Sequence, residues 1–354
     1  MPARGRRVTI KQVAQEADVS TQTVSRVINE RPNVARETRR RVLEVIERLG
    51  YQPSAIARTL SRGRSYTLGV VTAGLKYVGP SYALNGITGQ AEAMGYSLLL
   101  KELPKFDTSD VEPVLNALLV RRVDGIIWAV AEVGNNHDEL LDRLPDLPVP
   151  IILLTTDRRD DVSVVSVDNY LGGRIAVEHL LEQGYRRIGH VAGPLAWWEA
   201  RQRKAGWHDA LSEAGMHVDE THWVEGDWSS ESGESAMRRL LDRYPELDAV
   251  FVGNDQMALG ALQVSCRRGL KVPHELAVVG FDGIPEAAYF WPPLTTVHQD
   301  LHRLGSVAVE EVVRAIEASL ELDAVYQPDN ISLKPRLIPR QSSCASADLD
   351  APEQ

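Results

Sequence analysis

The sequence predicts an α/β protein with a small all-helical N-terminal part followed by a larger body of two lobes built on parallel sheets. Three observations carry this. Apolar residues recur at helical spacing as far as Leu49, short continuous Val/Ile/Leu runs alternate with amphipathic stretches from about Tyr66 onward, and the charge divides near the same boundary. Residues 1–65 hold 14 Lys+Arg against 6 Asp+Glu, a net of +8, whereas the remainder holds 25 against 43, a net of −18. A basic end on an acidic body suits a nucleic-acid-binding head. It also suits an ordinary solvated tail, so the elements themselves must decide.

They begin at Thr9, which stands at capping-box spacing from Gln12, with Ile10, Val13, Ala14 and Ala17 at i, i+3, i+4 and i+7. Asp18-Val19-Ser20 interrupts this first helix; Asp tolerates a left-handed turn and Ser20 suits the cap of a second helix. That second helix, Thr21 to Asn29, points Val24, Val27 and Ile28 inward while Gln22 and Arg26 share the opposite face. A third, about Arg36 to Leu49, lines up Val42, Val45, Ile46 and Leu49 and stops at Gly50. Two short helices, a tight turn and a bracing third make a helix-turn-helix, whose second helix enters the major groove. A generic three-helix bundle shows the same apolar spacing, and the outward Gln-x-x-x-Arg face is what favours a reader of DNA.

After Tyr51, Pro53 forces an extended backbone, Ser54 can cap, and Ile56 and Leu60 lie one turn apart before Gly63. So short a helix is marginal alone. It is either a plain linker or a hinge helix that orders on DNA and pushes Leu60 into a minor-groove step.

Beyond it, "TLGVVTA", "YSLLL", "GIIWAVA", "PIILL", "VSVVSV", "RRIGHVAG", "LDAVFVG" and "LAVVGFD" are strand-length runs separated by amphipathic stretches, the signature of βαβ order and parallel sheets. The expected division is residues 1–53 for the DNA-binding head, 54–65 for the hinge, 66–340 for the body and 341–354 for a disordered tail. Within the body the first lobe takes about 66–167 and 298–328, and the second about 168–297 and 329–340.

Ligands of such sheets bind beyond the carboxyl ends of strands. There stand Asn254 and Asp255 after "DAVFVG", Asp282 after "LAVVGF" and Gly193-Pro194 after "IGHVA"; Arg203 is expected to start a helix ending at Gly206-Trp207, and Trp228 sits in the "EGDWSSESG" loop. Carboxylate, amide, guanidinium and indole suit a sugar, which presents hydroxyl edges and an apolar face. Singly, each has a plainer use: Asp or Asn after a strand caps the next helix, and Trp207 at helical spacing packs a core.

Other classes are poorly served. Cys266 and Cys344 form neither a disulfide framework nor a zinc spacing. The N-terminus lacks the apolar core of a signal peptide and no apolar run reaches membrane-spanning length, so a cytoplasmic protein is expected. There is no GxSxG, Walker-A loop or HExxH; His274-Glu275 lacks a second His, and "GGR" at Gly172 to Arg174 lacks a dinucleotide-binding pattern. His190 and His298 lie in strand-like contexts that favour structural roles. An enzyme is not expected, nor any metal or cofactor.

"VTIKQVAQEADVSTQTVSRVINE" and "GYQPSAIARTL" resemble the head and hinge of the lactose repressor family of bacterial transcription regulators. "AGPLAWWEARQRKAGWHDAL", "EGDW", "GNDQMALGAL", "VVGFD" and "WPPLTTVHQDLHRLG" extend the likeness to about Val8 to Arg340. The resemblance implies a periplasmic-binding-protein-like body. It implies base contacts by Thr21, Gln22 and Arg26, phosphate contacts by Ser20, Thr23, Asn29 and Tyr51, and a hinge that uses Ser54 with Ala57 and Leu60 in the minor groove. It also implies an effector site of Arg203, Asn254, Asp282 and Trp228, with Ala73, Tyr77 and Pro80 from the first lobe. Departures are Asp18 where Gly is usual in the turn, and Ala35 where Ser or Thr usually caps the third helix. Thr155 and Ala129 stand where galactoside-binding members carry Asp and Asn, which argues against galactose and leaves Trp128, Trp197 and Trp198 as extra stacking surface for another glycoside.

The function so implied is a sequence-specific regulator, a repressor released from a pseudo-palindromic operator by a sugar or glycoside. The alternative is a corepressor-type regulator answering to a purine or nucleoside. A secreted sugar-binding protein of the same two-lobed build is disfavoured by the head. Partners are double-stranded DNA, a small-molecule effector and a second copy; residues 341–354 contain one Leu and no heptads, so a dimer is expected rather than a coiled-coil tetramer.

Overall fold

The computed structural model describes residues 8–28, 33–51, 64–106, 108, 110–321 and 326–344. Asn29 and the expected hinge residues Ser54, Ala57 and Leu60 lie outside them. The chain divides into two compact units, one of residues 1–67 with 122–124 and one of the rest.

In the first unit the three helices stand where periodicity puts them: α1 (Ile10–Glu16), α2 (Thr21–Ile28) and α3 (Arg36–Leu49). The capping box forms, the Thr9 backbone N–H donating to Gln12 Oε1 at 2.8 Å and the Gln12 N–H to Thr9 Oγ1 at 3.4 Å. Asp18 takes the left-handed turn (φ 49°) and Gly50 the left-handed stop (φ 61°). Ser20 Oγ accepts from the Thr23 N–H at 3.1 Å, capping α2, whereas Ala35 gives α3 no side-chain cap. The core is aliphatic: Val13, Ala14, Ala17, Val24, Val27, Val42 and Val45, closed by Tyr51.

The second unit holds two six-stranded sheets. The first contains β1 (Thr67–Ala73), β2 (Ser97–Leu103), β3 (Gly125–Ala129), β4 (Ile151–Leu154) and β5 (Ser163–Val167), interleaved with α4 (Val78–Ala93), α5 (Glu112–Leu119) and α6 (Asp138–Arg143). The second contains β6 (Ile188–Ala192), β7 (Trp223–Glu225), β8 (Ala249–Val252), β9 (Ala277–Asp282) and β10 (Thr295–His298), with α7 (Asn169–Glu182), α8 (Trp198–Glu213), α9 (Ser230–Arg243) and α10 (Asp255–Arg267). The chain then returns as α11 (Leu301–Leu320) and β11 (Asn330–Leu333) to the first lobe and as β12 (Arg336–Ile338) to the second. Strand orders are β11-β5-β4-β3-β1-β2 and β12-β10-β9-β8-β6-β7. The registered pairs are parallel except β10 with β12.

Two boundaries differ from expectation. Residues 329–340 do not all join the second lobe, because Asn330–Leu333 add a parallel strand to β5, Asn330 opposite Val164; the chain crosses at Lys334-Pro335. Nor does an unstructured tail begin at Gln341. Ser342 and Ser343 are fully buried: Ser342 Oγ accepts from the Thr295 N–H at 2.8 Å and donates to Val278 O at 2.6 Å, and Ser343 Oγ donates to Thr295 Oγ1 at 2.6 Å.

Besides the three chain crossings, the lobes are joined at one edge. Val133 and Trp197 form an antiparallel bridge, the Trp198 N–H donates to Glu132 O at 3.0 Å, and Arg201 pairs with Glu132 at 2.9 Å. Among the described residues no helix is long and apolar enough to cross a membrane.

Candidate functional site

Between the lobes lies a cavity of about 460 Å³. Its walls come from the start of α4 (Tyr77, Pro80, Ala83), the ends of β3 and β4 (Ala129, Thr155), the N-cap and first two turns of α8 (Trp197, Glu199, Arg203), the loop before α9 (Asp227, Trp228), and the ends of β8 and β9 (Asn254, Asp282), with Gln299 beside them. Of the residues expected here, Arg203, Asn254, Asp282, Trp228, Tyr77 and Pro80 line the cavity. Ala73 does not: it ends β1 fully buried, its small side chain spent on the sheet core. Trp197 lines it, whereas Trp128 and Trp198 are buried in packing and are not among the lining residues.

Arg203 organises the floor. It lies inside α8, not at a helix start, and is 5% exposed. Its Nε donates to Asn169 Oδ1 at 2.8 Å and its Nη1 to Gly253 O at 2.6 Å, with Nη1 also 3.6 Å from Asp282 Oδ1. The guanidinium stacks over Phe281 at 3.8 Å, so cation–π attraction adds to the ion pair. Gln299 Nε2 donates to the same Asp282 oxygen at 2.6 Å. Burial raises the Asp282 pKa to about 6 against the pull of Arg203 and Gln299, leaving it ionised at neutral pH. Asn254 serves twice: Oδ1 caps α10 by accepting from the Met257 N–H at 2.9 Å, and Nδ2 donates to Trp228 O at 3.0 Å, fixing the indole's loop. The indole itself fits because Gly193 has no side chain; a Cβ there would run into the Trp228 ring.

Sequence reasoning missed Glu199, Gln299, Gln256 and Lys76, all of which line the cavity. Glu199 stands out because its Oε2 is buried without a hydrogen-bond partner. Burial lifts its pKa to about 7, opposed mainly by its own backbone N–H and by Arg203, one helical turn on. That i, i+4 spacing from Arg203 was the available signal. Trp228 Nε1 is a second buried group without a partner. Tyr77, Phe106, Trp197 and Trp228 form an aromatic chain, with Trp197 4.4 Å from Phe106 and 5.9 Å from Trp228 between ring centroids. Three of the non-glycine residues with positive φ are cavity residues, Thr155 (58°), Trp228 (75°) and Asp282 (107°), and strain of this kind gathers at binding sites.

On the head, Thr21, Gln22 and Arg26 are exposed along α2, and Ser20 and Thr23 share a 3.0 Å hydrogen bond at its start. A polar groove beside them is lined by Ser20, Thr23, Arg26, Asn33, Thr38 and Arg41, of which the last three were not anticipated. Tyr51, expected at a phosphate, is only 9% exposed and packs in the head's core. His190 is also structural: it stacks on Phe251 and Trp207, and burial lowers its pKa to about 3, so it stays neutral.

Residues 9–54 match the family described as bacterial regulatory proteins, lacI family, and residues 177–343 match the periplasmic binding protein-like domain. The chain is 34% identical over 330 residues to catabolite control protein A of Priestia megaterium, covering 92% of this chain and 98% of that one. It is similar to the solved lac repressor dimer bound to operator and the anti-inducer ONPF, with a TM-score of 0.84 at 31% identity over 96% of this chain and 100% of that one. It is also similar to the transcriptional regulator CelR in complex with cellobiose, with a TM-score of 0.70 at 32% identity over 95% and 100%. A likeness that runs through head and body alike makes the chain a member of the lacI family of bacterial regulatory proteins.

Proposed function

We propose that this family member is a repressor whose head reads an operator and whose interlobe cavity binds a sugar or glycoside that releases it. The observation that carries the effector class is the cavity floor, a fixed Arg203/Asp282/Asn254 constellation beside the face of Trp228. Hydroxyl edges suit the first three and an apolar sugar face suits the indole. The likeness to a regulator holding cellobiose supports the same class. The cavity is read as a binding site and not a catalytic one, and a DNA partner puts the protein in the cytoplasm.

In this reading Thr21, Gln22 and Arg26 contact base edges, while Ser20, Thr23 and Asn29 hold phosphates. The hinge, with Ser54, Ala57 and Leu60, enters the minor groove. Two heads on a symmetric dimer read the half-sites of a pseudo-palindrome. Leu259, Tyr289 and Trp291, respectively 42%, 88% and 90% exposed, offer the body apolar surface for a second copy. Sugar binding shifts one lobe against the other and spreads the hinges, a coupling of about 1–3 kcal/mol.

Operator fragments selected by the purified chain, then titrated with sugars, test the mechanism; affinity unchanged or raised by every bound sugar would sink it. The aromatic chain from Phe106 to Trp228 favours a second reading, a purine or nucleoside corepressor stacked on those rings. Competition of guanine against glycosides in a thermal-shift assay separates the two.

A further inference from the structure

The cavity carries more polar equipment than one sugar ring uses. Around Trp228 stand Arg203, Asp282 and Asn254. Glu199, two residues from Trp197 at the start of α8, turns a buried, unpartnered carboxyl oxygen into a region where the floor constellation supplies no donor to it. The charged groups that act on it are Arg203 and Arg201 from its own helix and Glu132 from the first lobe, but Arg201 is already engaged by Glu132 at 2.9 Å and Arg203 by Asn169, Gly253 and Asp282. The indoles repeat the division. Trp197 and Trp228 meet edge to face, their planes 76° apart. A pyranose lying flat on one cannot lie flat on the other.

Resting on the glycoside reading above, we infer that Trp197 and Glu199 form a second sugar subsite beside the Arg203/Trp228 one, and that the effector is a two-ring glycoside. Glu199 Oε2 accepts from hydroxyls of the second ring, while the first ring packs against Trp228 with its hydroxyl edge toward the Arg203/Asp282/Asn254 floor beside it. A buried acceptor left unmade costs binding, and a hydroxyl supplies the missing donor. The cavity, at about 460 Å³, lies within the range of small-molecule sites that enclose most of their ligand.

The test is calorimetric titration of the full chain with cellobiose, maltose, lactose, sucrose and trehalose, with their constituent monosaccharides, and with guanine and adenosine. At least one disaccharide is expected to bind roughly tenfold or more tighter than either of its monosaccharides. Glu199→Ala and Trp197→Ala are expected to remove most of that advantage while shifting monosaccharide affinity less than about threefold. Glu199→Gln, which keeps the shape and one acceptor oxygen, should fall between and serves where the alanine variant melts poorly. Monosaccharides binding as tightly as every disaccharide, or an advantage that survives both Glu199 variants, would overturn the second subsite and leave the glycoside reading standing. Failure of every sugar, with or without purine binding, would overturn both.

Discussion

The head and the cavity teach different lessons about how a chain holds a function. The head's reading face, its cap and its core come from about forty consecutive residues, and Thr21, Gln22 and Arg26 are exposed because Val24 and Val27 of the same helix are buried. The cavity draws on segments from Lys76 to Leu304, and its floor residues Arg203, Trp228, Asn254 and Asp282 come from separate elements of the second lobe. Local geometry makes the first; two sheets and their crossings make the second.

The largest expected effect comes from Arg203→Ala, which leaves Asp282 buried without its cation, a loss of about 3–5 kcal/mol for a broken buried pair. Body stability measured by urea unfolding should fall by that order and sugar affinity at least a hundredfold, while operator affinity drops far less. A head that fails equally would erase the separation between the two regions. Arg26→Ala probes the converse, costing about 1–3 kcal/mol of discrimination between operator and mismatched DNA if it grips a base edge. Unchanged operator preference in a gel-shift series would remove Arg26 from the reading face. Ser20→Ala should cost about 1 kcal/mol of head stability through the lost cap, seen as a lower midpoint for the head's unfolding with the body's unmoved.

A pH-dependent effect belongs to Asp255. It is fully buried, accepts from Thr296 Oγ1 at 2.7 Å and the Ile284 N–H at 2.9 Å, and burial together with the neighbouring Asp282 charge pushes its pKa up to about 8. The folded chain therefore keeps a proton that the unfolded chain releases at about pH 4. Its contribution to stability is full below about pH 4 and is lost as pH rises through about 8. Asp255→Asn has no such proton, so its melting temperature should decline less steeply between pH 5 and 8; parallel curves would show that Asp255 titrates normally.

Much of this was legible in the chain. The helices of the head follow from one stripe of small and branched apolar residues, and Asp18 and Gly50 mark its turns because few residues tolerate positive φ. The central strands follow from apolar runs, but β7, β11 and β12 do not, since Trp223–Glu225, Asn330–Leu333 and Arg336–Ile338 are short, half-exposed edges. Arg203, Asn254, Asp282 and Trp228 were legible from their places beyond strand ends and in the loop that follows, and resemblance sharpened them. Glu199 was not, because an acid in the first turn of a helix reads as a partner for the helix dipole. Ser342 and Ser343 were lost in a run that looks like a tail; only the groups of β9 and β10 that they bond, the Val278 carbonyl and Thr295 N–H for Ser342 and the Thr295 hydroxyl for Ser343, reveal their use.

The left-handed backbone at Thr155, Trp228 and Asp282 also sets how this pocket can be re-engineered. Positions of that kind carry roughly 1–3 kcal/mol of strain for ordinary residues, and a branched residue such as Thr is a poor occupant. Swapping those side chains for bulkier ones meets a backbone penalty before any ligand is added, whereas Gly or Asn would relax the chain and loosen the ring or carboxylate it aims. Glu199, Gln256 and Lys76 stand on unstrained backbone. A library meant to change which small molecule this regulator answers to would therefore vary those three first and leave the strained trio as the fixed frame.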